Sequence, residues 1–449
     1  MENEGLPEIV IRTFQYYYNE LVEGKNGIIC ENDICNVEDL PDLENLDEKL
    51  KMIGEEHLHE TVFIKLNGGL GTGMELNKAK SLLKIKNDLT FLDIIANQAI
   101  KSGVPLILMN SFNTHEDSEK CISKYTELFK DIPHYFLQHK IPKIKKETLT
   151  PVNFENDKRL EWCPPGHGEI YSALINSGIL KTLLSKNYKY AFISNSDNLG
   201  AILEPKILGY IVSNNVPFLM EVADRTESDK KGGHLARLKN GQLILRESAQ
   251  CSEEDIEEFQ NIKKYKYFNT NNIWVDLRKL DKIMKEKKYI LGLPMIRNEK
   301  TVDPRNHKST SVYQLETAMG SAISIFKNAE ALRVPRIRFA PVKTTNDLLE
   351  IQSDVFILTS DYRLVQNPER KLPKLFVHLD PKYYKKIDNF KKRFPHGAPS
   401  LLNCEELVID GDFNFGKNIK LVGKNHLINK SIEPFFIKND EVIENRRNN

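Results

Sequence analysis

A glycine-rich segment followed by a lysine is the strongest chemical signal in the sequence. Glycine occupies positions 68, 69, 71 and 73, directly after the apolar run 62–66, and Lys80 follows shortly afterwards. Glycine lacks the Cβ atom that would keep backbone N–H groups away from an anion. A turn that leaves a strand can present such N–H groups to phosphate. The segment therefore predicts a phosphate-binding loop with a cationic side chain beside it.

Two common phosphate-binding motifs do not fit this segment. A Walker A loop carries Lys and then Ser or Thr directly after its last glycine, whereas Met74 and Glu75 follow Gly73. The dinucleotide fingerprint G-x-G-x-x-G needs its last glycine where Met74 or Leu76 stands. The loop thus predicts phosphate binding that is neither of the P-loop kind nor of the plain NAD kind. For the segment taken alone, a purely structural glycine turn stays open.

Two further segments contribute a histidine and a carboxylate. His167 lies between Gly166 and Gly168 after two prolines, so a bend presents the imidazole rather than a packed core face. Asp197, within Ser-Asn-Ser-Asp-Asn at 194–198, follows a predicted strand. Mg²⁺ prefers one or two carboxylates together with substrate phosphates. The Asp197 segment therefore suits a metal–phosphate site, with an Asx turn as the alternative.

Three more segments place single polar groups after apolar runs. They are Lys-Gly-Gly at 231–233, Phe-Asn-Thr-Asn-Asn at 268–272 and Pro-Val-Lys at 341–343. The amide of Asn271 can both donate and accept, which suits recognition of hydroxyl groups. Lys343 precedes the helix-capping residues 344–347. There it either reaches a phosphate or forms a surface ion pair.

The order of these segments resembles that of the eukaryotic-type UTP–glucose-1-phosphate uridylyltransferases, the UDP-glucose pyrophosphorylases. Six motifs carry the likeness between about residues 60 and 365: LNGGLGT at 66–72, LMNSFNT at 108–114, PPGHG at 164–168, SNSDN at 194–198, FNTNN at 268–272 and PVK at 341–343. The resemblance implies transfer of UMP from UTP to glucose 1-phosphate. UDP-glucose and pyrophosphate would be the products, and Mg²⁺ would be the cofactor.

The resemblance also implies roles for individual residues. Lys80 and Lys343 would bind phosphate and act in catalysis, and Asp197 would hold Mg²⁺ with Lys80 adjacent through a phosphate. Besides the two lysines, the nucleotide would contact Leu66, Asn67, Gly68, Gly69, Gln138, Gly166 and Asp197, with Gln138 reading the uracil. The sugar phosphate would contact Gly68, Gly69, His167, Asn195, Ser196, Asp197 and Asn271.

The glycine loop departs from the family's pattern after Met74. The family usually continues with glycine and then Gly-Pro-Lys, whereas this chain reads Glu-Leu-Asn-Lys-Ala-Lys from 75 to 80. Lys78 is therefore a rival to Lys80 for the phosphate contact. Three other activities stay open: a pyrophosphorylase for N-acetylhexosamine 1-phosphate or for several sugars, an NAD-linked dehydrogenase, and a non-catalytic member with an assembly or regulatory role.

The elements that must position these residues alternate between strand and helix over 59–370. Strands are predicted at 62–66, 106–110, 190–194, 218–222 and 273–275, and helices at 90–101, 169–184 and 314–326. This alternation favours an α/β core with a mixed, mostly parallel sheet, and the resemblance implies the Rossmann-like nucleotidyltransferase kind. Ligands of such sheets bind at the carboxyl ends of the strands, where the glycine loop lies.

The two ends of the chain predict other structures. Residues 1–58 are charge-rich with helical spacing of apolar residues, which indicates an N-terminal helical region. Within 371–449, after a linker helix, apolar residues recur every six positions at 407, 413 and 419 and at 409, 415, 421 and 427. This beat is typical of a parallel β-helix, left-handed by the resemblance, and an antiparallel meander is the alternative. A homo-oligomer would form through this β-helix.

The composition argues against several other classes of protein. The 64 Lys and Arg residues nearly balance the 63 Asp and Glu residues, so neither nucleic acid nor a membrane surface is an expected partner. We expect no signal peptide, because the acidic N-terminus lacks an apolar run, and no apolar run is long enough to span a bilayer. The six cysteines are scattered without a C-x-x-C pair. They predict reduced thiols in the cytoplasm rather than a zinc site.

Overall fold

The computed structural model describes residues 1–76, 78–128 and 132–446. Across these residues the chain forms twelve α-helices and 25 strands. The helices are α1 (Glu8–Val22), α2 (Lys49–Glu56), α3 (Phe91–Ser102), α4 (His115–Ile122), α5 (Ile170–Asn176), α6 (Ile179–Ser185), α7 (Pro205–Asn214), α8 (Ile256–Phe259), α9 (Leu277–Glu286), α10 (Thr345–Gln352), α11 (Pro381–Tyr384) and α12 (Ile387–Arg393). The strands are β1 (Ile34–Cys35), β2 (Thr61–Asn67), β3 (Lys84–Lys86), β4 (Leu89–Thr90), β5 (Leu106–Asn110), β6 (Tyr135–Leu137), β7 (Ile141–Pro142), β8 (Ile144–Lys145), β9 (Trp162–Cys163), β10 (Tyr190–Asn195), β11 (Phe218–Asp224), β12 (His234–Leu238), β13 (Leu243–Arg246), β14 (Tyr267–Asp276), β15 (Met295–Thr301), β16 (Ser311–Thr317), β17 (Glu330–Arg333), β18 (Phe356–Leu358), β19 (Leu364–Gln366), β20 (Phe376–Leu379), β21 (Ser400–Asp410), β22 (Phe413–Phe415), β23 (Lys420–Ile428), β24 (Phe435–Ile437) and β25 (Val442–Glu444).

A ten-stranded mixed sheet forms the centre of the molecule. Its main path runs β1-β12-β14-β10-β2-β5-β6, while β11 pairs with β14 and β17, and β13 pairs with β12. Strands β10, β2, β5 and β6 are parallel neighbours, so their carboxyl ends meet at one edge. Strand β14 runs antiparallel to β10. The predicted mixed α/β core is confirmed, with its parallel strands grouped around the strand that leads into the glycine loop.

Helices cover both faces of this sheet. On β2, Phe63 faces an apolar cluster built with α3, α7 and α10. Its neighbours Val62 and Ile64 face a second cluster built with α5, α6 and α9. All seven residues of β2 are buried, as expected for a strand covered on both faces. The glycine loop therefore extends from a rigid strand at the middle of the core.

The five predicted strands are all present, and four of them are longer than predicted. The helix predicted at 90–101 is α3, which begins after a capping box formed by Thr90 and Asp93. The helix predicted at 169–184 is two helices, because the chain turns at Gly178, whose φ of +74° is left-handed. A left-handed residue cannot continue an α-helix, so α5 ends and α6 begins there.

The helix predicted at 314–326 is wrong. Residues up to Thr317 belong to β16, which pairs antiparallel with β15 along its full length and with β8. The segment Met319–Ser324 that follows is a 3-10 helix. Pairing with two neighbouring strands outweighs the helical spacing of the apolar residues, since strand formation depends strongly on tertiary context.

The N-terminal residues pack against the core at two places. Helix α1 anchors through Tyr17, whose hydroxyl donates to the carbonyl oxygen of Leu293 at 3.1 Å. The short strand β1 adds to the edge of the central sheet by pairing with β12. This region is therefore helical for the most part and also extends the sheet.

The C-terminal residues form two all-parallel sheets. One has the order β20-β21-β23-β25, and the other pairs β22 with β24. The antiparallel meander is thus wrong. Leu407, Phe413 and Leu421 are buried in the same apolar cluster as α3 and α10, so this region shares a hydrophobic core with the rest of the chain. Over the described ranges, no helix combines the length and apolar character needed to cross a membrane.

Candidate active site

The glycine loop leaves the central sheet at the end of β2, beside the ends of β5 and β10. The side-chain amide of Asn67 donates to Asn110 Oδ1 at 2.7 Å and to Ser118 Oγ at 2.8 Å. Both hydrogens of that amide are therefore used to join β2 to β5 and α4. The side chain of Leu66 packs in the core. The main-chain atoms of both residues and the amide oxygen of Asn67 are left as possible ligand contacts.

The loop folds back on itself after Gly69. The main-chain N–H of Lys80 donates to the carbonyl oxygen of Gly69 at 3.2 Å, and Ser111 Oγ donates to that of Gly68 at 3.0 Å. Where the chain departs from the family's pattern, Glu75 adopts a φ of +53° and pairs with Lys386 before α12 at 2.7 Å. Asn77 in this stretch lies outside the described residues. The altered segment thus ends with Lys80 beside the loop.

Lys80 and Asp197 form an ion pair in the substrate cleft, the space beside the glycine loop at the ends of β2 and β10. Lys80 Nζ lies 2.5 Å from Asp197 Oδ2, and the two side chains are only 14% and 20% exposed. Lys78, the rival lysine, is exposed. The structure therefore places Lys80 rather than Lys78 at the carboxylate. If Asp197 held a metal ion, the ammonium group of Lys80 would be available to form an ion pair with a phosphate.

The segment that carries Lys343 is joined to the loop that carries Asp197. The N–H of Val342 donates to the carbonyl oxygen of Asp197 at 3.3 Å, and Asn198 Oδ1 accepts from the N–H of Ala340 at 3.0 Å. Lys343 then precedes the capping box at the start of α10. Its side chain is exposed, with Nζ 5.9 Å from the centre of the Phe339 ring. A flexible cation is thus presented at the cleft from a fixed backbone.

Gln138, the predicted uracil contact, lies against both the glycine loop and the PPGHG segment. Its Nε2 donates to the carbonyl oxygen of Gly166 at 2.9 Å. A Cβ atom on Gly68 would lie 3.0 Å from Gln138 Oε1. Gly166 has a φ of +80°, and a Cβ there would lie 2.4 Å from the carbonyl oxygen of Thr317. Only glycine fits this position, and the close packing brings the three predicted nucleotide contacts together.

His167 presents a neutral imidazole with a defined tautomer. Its Nδ1 accepts from the main-chain N–H of Met319 at 3.0 Å. The ring hydrogen therefore lies on Nε2. Burial lowers the pKa of His167 to about 4, so the ring is uncharged at neutral pH. His167 can donate one hydrogen bond from Nε2 without carrying charge.

Asn271 lies on a bulge of β14. The register between β11 and β14 shifts between Glu221 and Val222, and Asn271 adopts a φ of +58°. Its Oδ1 accepts from Asn269 Nδ2 at 2.9 Å. The bulge turns the side chain of Asn271 out of the strand pattern. Its remaining amide donors can meet a hydroxyl group.

Asn195 and Ser196 follow the end of β10. Asn195 lies opposite Leu66 in the parallel pairing of β10 with β2. The N–H of Ser196 donates to the carbonyl oxygen of Leu66 at 3.1 Å. Both residues, which are predicted substrate contacts, therefore lie beside the first residues of the glycine loop.

A Mg²⁺ ion at this place would have one protein carboxylate. Among residues 1–76, 78–128 and 132–446, no group of three or more His, Cys, Asp or Glu side chains could hold a metal by itself. Mg²⁺ commonly takes one or two carboxylates and completes its shell with phosphate oxygens and water. Asp197 beside a phosphate loop fits that ligand set.

Comparison with known proteins identifies the family. The profile of the UTP–glucose-1-phosphate uridylyltransferases matches residues 11–422. The chain belongs to this family. It is 42% identical to the enzyme of that name from Solanum tuberosum over 397 residues, which cover 87% of this chain and 81% of the relative. A probable enzyme of the same name from Schizosaccharomyces pombe is 39% identical and covers 88% of this chain and 78% of its own.

Solved structures agree with this assignment. A mutant UDP-glucose pyrophosphorylase from Leishmania major in complex with UDP-glucose superposes with a TM-score of 0.90 at 41% identity, covering 99% of this chain and 96% of that one. The Trypanosoma brucei UDP-glucose phosphorylase gives 0.87 at 45% identity, with coverage of 99% and 97%. The dehydrogenase alternative is thereby excluded.

Sequence reasoning missed a buried ion pair behind the site. Arg338 donates from Nε and Nη2 to the two carboxylate oxygens of Glu221 at 2.8 and 2.7 Å, and both side chains are buried. The carbonyl oxygen of Arg338 accepts from Asn198 and Asn272. The pair thus joins β11 and β14 to the segment before Lys343. No motif signals it, because the two residues lie far apart in the sequence.

Two further ionisable groups were also missed. Lys65 lies within β2 and donates to Ser194 Oγ at 2.7 Å; burial lowers its pKa to about 7, although Asp197 opposes the shift. Glu247 follows β13 and faces Gly233, where a Cβ would lie 2.5 Å from its carboxylate. Burial raises the pKa of Glu247 to about 7, and the charge of Lys343 opposes the shift. Two features of the sequence could have identified these groups: Lys65 interrupts an apolar strand, and Glu247 is a carboxylate at the end of a strand.

Proposed function

We infer that the protein transfers UMP from UTP to glucose 1-phosphate, forming UDP-glucose and pyrophosphate. One observation carries this conclusion: the glycine loop, the Lys80–Asp197 pair and the Lys343 segment meet at the carboxyl ends of β2 and β10. A phosphate loop, a metal-binding carboxylate and two lysines are the groups that nucleotidyl transfer requires. Membership of the UTP–glucose-1-phosphate uridylyltransferase family then indicates that the nucleotide is UTP and the sugar phosphate is glucose 1-phosphate.

The reaction needs alignment and charge neutralisation more than a strong base. The phosphate of glucose 1-phosphate carries negative oxygens near neutral pH, and one of them attacks the α-phosphorus of UTP in line with the departing pyrophosphate. The main-chain N–H groups of the loop, together with Lys80 and Lys343, would stabilise the charge that builds on these oxygens. The Nε2–H of the neutral His167 ring would donate a hydrogen bond to the sugar phosphate and would leave the negative charge of that phosphate in place.

Asp197 is the residue that would hold Mg²⁺. When bound, the ion neutralises phosphate charge and orients the phosphates. Lys80, released from Asp197, would then contact a phosphate oxygen. The two groups lie within hydrogen-bond distance of each other, so the metal ion and the phosphate would bind side by side.

We propose the remaining nucleotide and sugar contacts on the same geometry. The nucleotide side would use main-chain atoms of Leu66, Asn67, Gly68 and Gly69, with Gln138 and Gly166 at the base. The sugar side would use Gly68, Gly69, His167, Asn195, Ser196, Asp197 and Asn271. Glu247, beside Lys343, adds an acceptor that sugar hydroxyls could meet.

An assay of pyrophosphate release tests the proposed function. We expect release with UTP, glucose 1-phosphate and Mg²⁺, and loss of activity to background when a chelator removes the metal. A panel of sugar 1-phosphates measures the range of acceptors. Preferential turnover of N-acetylhexosamine 1-phosphate would favour the related pyrophosphorylases. Absence of release with every sugar would favour a non-catalytic role.

We further propose that the C-terminal region is a left-handed β-helix domain through which copies of the chain associate. Its parallel strands and the six-residue beat support the β-helix. Large apolar side chains near the outer strands support association, since Ile432 is 93% exposed and Phe436 is 69% exposed. The chain would then divide at 58 and 370 into helical, catalytic and C-terminal parts. Sedimentation of the full chain as a monomer at micromolar concentration would contradict the association.

A cytoplasmic location remains part of this proposal. All six cysteines are free thiols, which suits a reducing compartment. The expected partners are UTP, glucose 1-phosphate, UDP-glucose and pyrophosphate. Fractionation of cells that produce the protein would test the location.

A further inference from the structure

The residue that follows Gln138 is joined to Glu169 by two hydrogen bonds. The main-chain N–H of His139 donates to Glu169 Oε2 at 3.0 Å, and His139 Nδ1 lies 2.5 Å from Glu169 Oε1. The two side chains are 15% and 5% exposed. Asn176 Nδ2 lies 3.2 Å from His139 Nε2. With the ring hydrogen on Nδ1, every one of these contacts pairs a donor with an acceptor.

Gln138 itself is fixed at both its main chain and its side chain. Its N–H donates to the carbonyl oxygen of Asn110 at 2.7 Å, and its Nε2 donates to that of Gly166 at 2.9 Å. A carbonyl oxygen can only accept, so the nitrogen end of the amide must face Gly166. The oxygen end then faces the Gly68 side of the cleft. A flipped amide would place two oxygen atoms against each other.

Both restraints come from one short segment. Gly166 fixes the amide of Gln138, and Glu169 fixes the main chain of His139 three residues further along the same turn. The turn packs tightly, because a Cβ on Gly168 would lie 2.4 Å from Thr317 Oγ1. If the Glu169 contacts were lost, residues 138 and 139 could move away from Gly166. The amide would then be free to turn over.

If Gln138 contacts the base of the nucleotide, as proposed above, the orientation of its amide decides which pyrimidine can bind. Uracil carries a hydrogen on N3, whereas N3 of cytosine is an acceptor. A fixed Gln138 Oε1 accepts a hydrogen bond from N3–H of uracil. Against cytosine it faces N3, another acceptor with a negative partial charge, and this repulsion is a strong basis for rejecting cytosine. We propose that His139 and Glu169 are positioning residues that hold Gln138 in the orientation that accepts uracil and rejects cytosine. This proposal rests on the proposed use of UTP.

The test compares kcat/KM for UTP and CTP with glucose 1-phosphate in the full chain. For His139→Ala and Glu169→Ala we expect the UTP-to-CTP ratio to fall by about tenfold or more, because the loss of a buried, charge-assisted hydrogen bond releases the amide. A rise in KM for UTP should account for most of the loss with UTP. His139→Asn should restore the ratio, since its amide can donate to Glu169 in place of Nδ1.

His59→Ala is the matched control. His59 precedes β2 at the end of the sheet opposite the glycine loop, and its side chain is 74% exposed. Its ratio should equal that of the unmodified protein, and thermal melting checks that each variant folds. If Glu169→Ala fails to fold, the result for His139→Ala is sufficient to decide the test.

Two outcomes separate this inference from the function on which it rests. An unchanged ratio in folded His139→Ala, including equal losses with UTP and CTP, would overturn the positioning role and leave the uridylyltransferase activity standing. An unmodified protein that turns over neither nucleotide would instead contradict the proposed function.

Discussion

Replacing Lys343 with alanine is expected to lower kcat/KM by about 10³-fold, which corresponds to about 4 kcal/mol of transition-state stabilisation. The lysine contributes a positive charge near the reacting phosphates, where negative charge builds up during transfer. Most of the loss should appear in kcat, because the charge matters more in the transition state than in the bound ground state. Initial rates of pyrophosphate release at several UTP and glucose 1-phosphate concentrations measure both parameters.

The fold should survive this substitution. The side chain of Lys343 is exposed, and its main-chain N–H would keep its bond to Asp347 Oδ2 at 2.8 Å. Lys49→Ala is a matched control, since Lys49 is also an exposed lysine at the start of a helix. A variant with unchanged kcat and a raised KM would show that Lys343 contributes to ground-state binding only.

The central layout could be predicted from local patterns. Strands β2, β5 and β10 are mostly apolar and lead into polar segments, so their positions and the edge at which the glycine loop lies follow from the sequence. The family resemblance added Gln138, which no spacing argument identifies. The six-residue beat similarly indicated parallel strands in the C-terminal region; the strands there do pair in parallel, and the structure adds that they share a core with α3.

The errors have a common physical cause. Residues 314–326 carry helical spacing, yet β15 and β8 supply hydrogen-bond partners to β16, and this pairing decides the structure. The Glu221–Arg338 pair depends likewise on a strand and a 3-10 helix (Arg336–Arg338) that meet only in the folded chain. Local patterns report propensity and burial. They do not report which distant segments become neighbours.

The supporting residues of the site were the hardest to predict for this reason. Asn67 matches the family motif, but its amide binds Asn110 and Ser118. Which atoms face the ligand thus depends on contacts between motifs. The sequence located the groups that could react, and the structure separates those that face the cleft from those that hold it together.

Replacing Lys80 with alanine is expected to lower kcat/KM by about 10²- to 10³-fold, since it removes a cation from the phosphate cleft. Asp197→Asn should cause a loss of similar size and should also raise the Mg²⁺ concentration needed for half-maximal activity, because an amide oxygen is a weaker ligand than a carboxylate. Initial rates over a Mg²⁺ titration distinguish the two roles. Lys80→Ala should also lower the free energy of unfolding by about 1–3 kcal/mol, because the two side chains are only 14% and 20% exposed and Asp197 would lose its partner.

The double variant Lys80→Ala/Asp197→Asn should lose little more activity than Asp197→Asn alone, because residues that act as one unit have non-additive effects.

Lys78→Ala is the matched control, since this exposed lysine lies two positions before Lys80 in the altered part of the loop. It should keep near-normal turnover. If Lys78→Ala loses activity while Lys80→Ala retains it, the loop must rearrange when the nucleotide binds, and the 2.5 Å contact between Lys80 and Asp197 would then belong to a state that precedes binding. Retained activity in both variants would show instead that the phosphates are neutralised by Lys343, the metal ion and the main-chain N–H groups of the loop.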